Sequence, residues 1–586
     1  MNTHASHSAL LLQNVHDGEY KRVPADVLGL PRRRPHSQRE EAPTIASFMF
    51  PEYSPEKALI QYEYHRKRAV AAYRAMTTAK LAEQQLRREM NRPDRNQSPW
   101  DPHKDPVALP KAAPMPVEIG ERDDFQDCFA FLKDCKGDRV KVLLNMPDPA
   151  SIPPSLGVAI GEEPIYKSRL LEFKRGVVYE DGRLDLCKMV VGPDHIDELM
   201  DSLENNTHIR HFLLGNNVIT NHGARRIAKF VRDHPERMKT WYLAGNHIKP
   251  AGFSPLARVL EGSEVLEQLW LKRNPLGQSS VDNILNIITT AKRLQILDIE
   301  TCELGEEGLA HLFTSLLDKP NTLETIYING NGVGPEASMA IAKFLASPGC
   351  KLRYLMMSSN PLGDEGAINL ASCIADNTTL EVLTVASCGL SSKGVSAISD
   401  ALACHPKIRH LDLGSRFTTA DLGQRFNYID DDAIAAIKKI VTNSSLNFLH
   451  LGYVTLSANG LEEVRDAVVS SSSLVGFEVS RSLSAEETEQ THGQSCSLRV
   501  RQALETNYLR LFGGKGQMAE GVPYKDFISM SGPSRLLRNS PGVRLIDSVY
   551  RTRDKGRTSS GKVRKYWDLE HNEKDREIWE RLDRIE

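Results

Sequence analysis

No stretch of this 586-residue chain approaches the roughly 18 consecutive apolar residues that a helix needs to cross a bilayer. The N-terminal Leu10–Leu12 run is too short for the apolar core of a secretory signal, so a soluble cytoplasmic or nuclear protein with no membrane span is expected. An excess of one charge is also missing. The formal net charge is −2 and the isoelectric point about 6.8, which argues against nucleic acid as a partner. The nine cysteines have no paired spacing, which fits reduced thiols and not a disulfide framework. Catalytic signatures are lacking too: there is no His-Glu-x-x-His, no Cys-x-x-Cys and no serine in a nucleophile elbow. Gly513-Gly514-Lys515-Gly516 follows a helical pattern instead of a strand and lacks the phosphate-loop spacing. Cys128 and Cys135 have no histidine neighbours to complete a metal site, and His405 and His410 flank a turn and read as surface residues. No catalytic residue, metal or cofactor is expected, and the chain is read as non-enzymatic.

What the sequence does contain is a repeat. An apolar residue, two of any kind, an apolar residue, one of any kind and another apolar residue recur ten times between Ile209 and Val479. The first positions are Ile209, Met238, Leu266, Leu294, Leu323, Leu352, Leu380, Ile408, Leu446 and Leu474. Their separations are 29, 28, 28, 29, 29, 28, 28, 38 and 28 residues. A constant period of this length implies a stacked solenoid, because one repeat alone cannot bury its apolar face. Within one copy, Leu355 and Met357 alternate with Tyr354 and Met356 at strand period, and Ala367, Ile368, Leu370, Ala371 and Ile374 follow at helical spacing. Strand, helix and parallel strand joined by right-handed crossovers give a curved sheet inside and helices outside. The ninth position reads Asn217, Asn246, Asn274, Cys302, Asn331, Asn360, Cys388 and Asn427. A buried amide there can satisfy the peptide groups of the strand-to-helix bend, a structural role.

Asn or Cys at position nine with a 28/29-residue period resembles the ribonuclease inhibitor-type leucine-rich repeat. The resemblance covers about 181–485 and implies an α/β solenoid: a right-handed βα horseshoe with a parallel concave sheet and outer helices. It further implies a protein or peptide partner held on the concave sheet. The type is shared by ribonuclease inhibitor, Nod-like receptor sensor domains and the Ran GTPase-activating protein, so the fold does not select among functions. A GTPase activator similar to the last of these is the rival reading. Against it, that family carries a strongly acidic tail after the array, whereas residues 551–565 here are basic. A ubiquitin-ligase substrate receptor is a third reading, but it needs an adaptor-binding module that the sequence does not display.

Outside the array, residues 1–110 are rich in Pro, Arg, Ser and Gln and are expected to be mostly disordered, apart from a helix near 55–92. Residues 111–180 read as an N-terminal flank, helical over Asp123–Lys133 and strand-like over Val140–Leu144, that shields the first repeat. Residues 486–586 read as a capping helix over Ser497–Phe512, then a polar tail ending in a charged helix from about Asp568.

Position five of the repeat faces outward on the concave sheet and reads Asp185, Leu213, Tyr242, Trp270, Asp298, Tyr327, Met356, Thr384, Asp412, His450 and Glu478. An exposed sheet face should favour Thr, Ser and charge. Instead Tyr242, Trp270, Tyr327 and Met356 line up, with His211 and Tyr354 at position three. Aromatic residues are enriched at interface hot spots, so this row is the expected partner-binding face. Lys272 and Arg273 stand beside Asp298 and Glu300 as its charged flank. The 38-residue interval inserts about ten residues, bracketed by Phe417 and Phe426, as a second candidate contact. The binder is expected to be monomeric.

Overall fold

Fourteen strands form one sheet in unbroken chain order through the described residues. In this computed structural model those residues are 112, 120–133, 135, 137–145, 156–163, 168–414, 427–481, 498–514, 521–529 and 541–552, all within the unit Pro93–Glu586. The expected helix near 55–92, the insertion with Phe417 and Phe426, and the charged helix from about Asp568 lie outside them. Strands β1 (Val158–Glu162), β2 (Arg169–Phe173), β3 (Val177–Tyr179) and β4 (Arg183–Asp185) pair antiparallel. From β4 onward every pairing is parallel. The run continues through β5 (His211–Leu213), β6 (Thr240–Tyr242), β7 (Gln268–Trp270), β8 (Ile296–Asp298) and β9 (Thr325–Tyr327). It ends with β10 (Tyr354–Met356), β11 (Val382–Thr384), β12 (His410–Asp412), β13 (Phe448–Val454) and β14 (Gly476–Arg481).

The N-terminal flank extends the sheet past its first parallel strand. Helix α1 (Arg122–Lys133) buries Phe125, Cys128, Phe129, Phe131 and Leu132 against the end of the array. The segment Val140–Leu144, expected as a strand, is instead part of helix α2 (Gly137–Leu144). Val140, Leu143 and Leu144 are buried while Val142 is 61% exposed, so the burial follows helical spacing and not alternation.

Each coil then repeats one construction. The central residue of the three-residue strand points into the core, as Phe212, Trp241, Leu269, Leu297, Ile326, Leu355, Leu383 and Leu411 do, and Leu449 holds the same register in the longer β13. An outer helix closes the coil, for example α3 (Gly363–Ile374), which buries Ala367, Leu370 and Ile374 while Ile368 stays exposed. Between strand and helix the chain bends sharply. The residue before the ninth position adopts a left-handed backbone at Asn216, Gly245, Arg273, Thr301, Gly330, Ser359 and Ser387. At the ninth position itself the side chains replace the missing sheet partners. Asn360 Oδ1 accepts from the amides of Asn331, Gly332 and Val333 at 2.9, 2.9 and 3.1 Å. Its Nδ2 donates to the carbonyls of Ile328 and Met357 at 3.1 and 2.7 Å. The Asn217, Asn246, Asn274, Asn331 and Asn427 amides make equivalent bonds, linking each coil to the one before it. At Cys302 and Cys388 the thiol donates to the carbonyls of Leu271 and Met357 at 3.3 and 3.5 Å. All eight side chains are buried.

At the C-terminal end, helix α4 (Leu498–Leu511) buries Val500, Leu504, Asn507 and Tyr508 and leaves Leu498 and Leu509 exposed. Asn507 Nδ2 donates to the carbonyls of Ser471 and Leu474, so a polar residue anchors this cap to the last coil. Helix α5 (Tyr524–Ser529) follows, and the Tyr524 hydroxyl donates to Val475 O at 2.9 Å. His405 and His410, expected at the surface, are both buried. The His405 ring bonds Asn377 and the Ile408 amide, and His410 stacks on Phe448 with centroids 5.1 Å apart.

Candidate protein-binding face

The sheet brings the position-five residues of neighbouring coils into register, Tyr242 beside Trp270, Trp270 beside Asp298, and Asp298 beside Tyr327. Tyr242 and Trp270 rings lie 6.0 Å apart, and Trp270 and Tyr327 5.3 Å apart across Asp298. The Trp270 indole donates to Gln268 Oε1 at 3.2 Å. This row, expected to be open, is covered: Tyr242, Trp270, Asp298 and Met356 are 6, 3, 2 and 2% exposed, while Tyr327 and Tyr354 are half-buried.

The cover comes from the chain itself. Segment 541–552 contains two short helices, α6 (Pro541–Arg544) and α7 (Val549–Thr552), and lies across the strands. Val543 packs into a cluster with Tyr327, Tyr354, Met356 and Val382. Ile546 is buried in another with Leu213, Tyr242, Trp270 and Ile296. Val549 joins Leu170, Val177 and Tyr179 at the N-terminal end. Gly542 sits so close to the sheet that a Cβ there would fall 2.2 Å from Ile296 Cδ1. Polar contacts complete the seat: the Val549 amide donates to the Tyr179 hydroxyl at 3.2 Å, and the Gly176 amide to the Tyr550 hydroxyl at 3.1 Å. Helix α5 contacts the start of β14, six strands from Ile296 on β8, or about 29 Å at ~4.8 Å per strand.

The charged flank does something different from the aromatic row. Lys272 Nζ lies 3.4 Å from Glu300 Oε1, and Glu300 also accepts from Asn329 Nδ2 at 2.9 Å. Glu300, first among its neighbours, raises the Lys272 pKa and holds it charged. Arg273 is the left-handed residue of its bend and donates its amide to Glu300 O at 2.9 Å. Asp298 Oδ1 accepts from the Glu300 amide at 2.9 Å.

Sequence reasoning missed the residues of the cover and of its polar anchor: Glu163, Ser168, Arg183, Val543, Arg544, Ile546 and Val549. Val543, Ile546 and Val549 recur every third residue within a stretch read as polar tail, which is the one signal that could have flagged them. Among the described residues, no group of three or more His, Cys, Asp or Glu could hold a metal ion, and no helix is long and apolar enough to cross a membrane.

A family model described as Leucine Rich repeat matches residues 350–371 and 376–399. The chain is similar to the ribonuclease inhibitor of Sus scrofa, 24% identical over 263 residues that cover 40% of this chain and 57% of the inhibitor. The array is built of ribonuclease inhibitor-type leucine-rich repeats. The same repeats make the chain similar to the human NACHT, LRR and PYD domains-containing protein 2, 26% identical over 209 residues covering 35% of this chain and 20% of that protein. An internalin from Listeria monocytogenes is a solved structure with a TM-score of 0.27 and 15% identity, covering 52% of this chain and 90% of that one. The chain thus spans little more than half of the inhibitor and a fifth of the NACHT protein. A leucine-rich repeat solenoid of this type is, in general, a protein-interaction scaffold.

Proposed function

We propose that this chain is a non-enzymatic, monomeric scaffold of the cytoplasm or nucleus that binds a protein or peptide partner on the concave face of its leucine-rich repeats. The observation that carries the reading is the seating of 541–552. A short peptide already lays its apolar side chains on the row Tyr242, Trp270, Tyr327, Tyr354 and Met356, with Ile546 buried among the rings. A face that accepts its own chain in this way is shaped for a peptide of similar chemistry, and a partner reaches it by displacing the resident. Of the charged flank, Asp298 lies beneath the seated segment, while Lys272, Arg273 and Glu300 are half-buried beside it and would contact whatever extends beyond it. The cysteines of the described residues are free, the exposed Cys404 among them, which supports a reducing compartment.

The test uses the full-length chain carrying Ile546→Asp, chosen to loosen the resident segment by removing its buried anchor, and a fluorescein-labelled peptide of residues 541–552. Saturable binding is expected. Adding Trp270→Ala should weaken it by about 2 kcal/mol or more, roughly thirtyfold, without altering the thermal unfolding of the array. No saturable binding, or an unchanged affinity with Trp270→Ala, overturns the reading.

A further inference from the structure

At the N-terminal end of the concave face the seated segment is held by charge as well as by apolar contact. Glu163, which follows β1 and is 4% exposed, receives Arg544 through two bonds, Nη1 to Oε1 at 3.1 Å and Nη2 to Oε2 at 2.6 Å. Arg544 Nη2 also donates to Ser168 Oγ at 2.9 Å. On its other side Glu163 meets Arg183, fully buried, whose Nη2 lies 3.0 Å from Oε1. Arg183 is fixed by Asp181 at 2.9 Å and lies over the Tyr179 ring at 3.8 Å. Its remaining Nη1 donates to the main-chain carbonyl of Asp547 at 2.7 Å. Burial opposes the charge on Arg183, but Asp181 and Glu163 outweigh it and raise its pKa.

These contacts divide into two kinds. Arg183 and Tyr179 read main-chain groups of the segment, which any peptide possesses. Glu163 and Ser168 read a side chain. Asp181 and Glu163 against Arg183 alone leave one negative charge in excess, and the neighbouring Asp185, bonded to Tyr179 at 3.3 Å, adds another. The planar fork of an incoming guanidinium neutralises Glu163 and satisfies both of its oxygens at once, which a lysine ammonium cannot do. Resting on the concave-face reading above, we propose that Glu163 and Ser168 form an arginine-reading subsite. The partner of this scaffold is then a short peptide with an arginine two residues before an aliphatic anchor, as Arg544 stands to Ile546.

The experiment measures anisotropy of labelled 541–552 peptides on the full-length Ile546→Asp chain, comparing the native sequence with Arg544→Met and Arg544→Lys. The Arg544→Met peptide should bind roughly thirtyfold more weakly or worse, the order expected when one partner of a buried hydrogen-bonded ion pair is removed. Arg544→Lys should recover only part of the loss. On a chain that also carries Glu163→Gln, the native and Arg544→Met peptides should differ by much less. Equal affinity of the native and Arg544→Met peptides, or the same loss with Glu163→Gln, overturns the subsite while leaving the concave-face reading intact. Absence of binding by every peptide overturns both. A second measurement needs no vacated seat: in the otherwise unaltered chain, Arg544→Met should speed hydrogen exchange of the amides from Ile546 to Tyr550 by at least tenfold. Unchanged exchange overturns the subsite.

Discussion

Positions nine and five of the repeat recur at the same interval in the same coils, yet opposite rules fill them. Position nine is Asn or Cys from Asn217 to Asn427, whereas position five drifts from Leu213 through Tyr242, Trp270 and Tyr327 to Thr384, Asp412, His450 and Glu478. The difference lies in the partner. A position-nine side chain bonds peptide groups that the bend creates afresh in every coil, so the chemistry must stay constant. Position five meets whatever lies on the sheet. From β5 to β10 that is the apolar side of 541–552. Further along, the side chains turn to one another, His450 Nδ1 to Asp412 Oδ1 at 2.9 Å and Ser358 Oγ to Thr384 Oγ1 at 3.0 Å. Constancy in a repeat therefore marks a demand that every coil makes alike, and drift marks a contact that changes from coil to coil.

The largest expected effect is at position nine. Asn360→Ala strips hydrogen bonds from three amides and three carbonyls in a buried bend. At about 1–3 kcal/mol for a buried group left unpaired, with partial relaxation, the array should lose about 3 kcal/mol or more in urea unfolding. Asn360→Cys, the residue that other coils use, should lose less, because a thiol can still donate. A loss under about 1 kcal/mol for Asn360→Ala would erase the distinction between the two positions.

The inner face offers a pH test of the same contrast. His211, at position three of β5, is 6% exposed with Nδ1 2.9 Å from Thr240 Oγ1, and burial lowers its pKa to about 4. The folded chain thus keeps His211 neutral where the unfolded chain, titrating near the ordinary value of 6.5, takes up a proton. Stability from this residue is complete above pH 6.5 and declines as pH falls toward about 4, by roughly 3 kcal/mol in all. His211→Gln should flatten this part of the stability–pH curve. An unchanged slope between pH 6.5 and 4 would mean that His211 is solvated when folded, and that the inner face is less closed than its neighbours imply.

Much of this contrast was legible in the sequence, and the part that was not has a physical reason. The separation of Leu352 from Leu380 and the alternation around Leu355 suffice for strand, bend and outer helix, since each arises from contacts within a coil or with the next one. Val140–Leu144 misled because a short apolar run satisfies strand and helix alike until its burial is known. The aromatic row was visible and reads as open to a partner, whereas the structure shows it covered. Its occupant was not visible, because Ile546 is far along the chain from Trp270 and no local period links them. Glu163 and Arg544 form a pair across 381 positions, with nothing in either neighbourhood to announce it.

The smallest effect lies between the two series, at position eight. Thr301 holds a left-handed backbone (φ 53°), which a β-branched residue adopts at roughly 1–2 kcal/mol, and its amide donates to Asn329 O at 2.8 Å. Gly245 and Gly330 fill the same place in other coils without that strain. Thr301→Gly relieves it but frees the unfolded chain by about 0.5–1 kcal/mol, so the net change should be a gain of less than about 1 kcal/mol. Urea unfolding of the two proteins decides it. A gain or no change means that position eight is governed by backbone geometry, whereas position nine is governed by its side-chain bonds. A loss above about 1 kcal/mol would mean that the threonine side chain itself holds the bend, and that conformation is the lesser of the two demands on this turn.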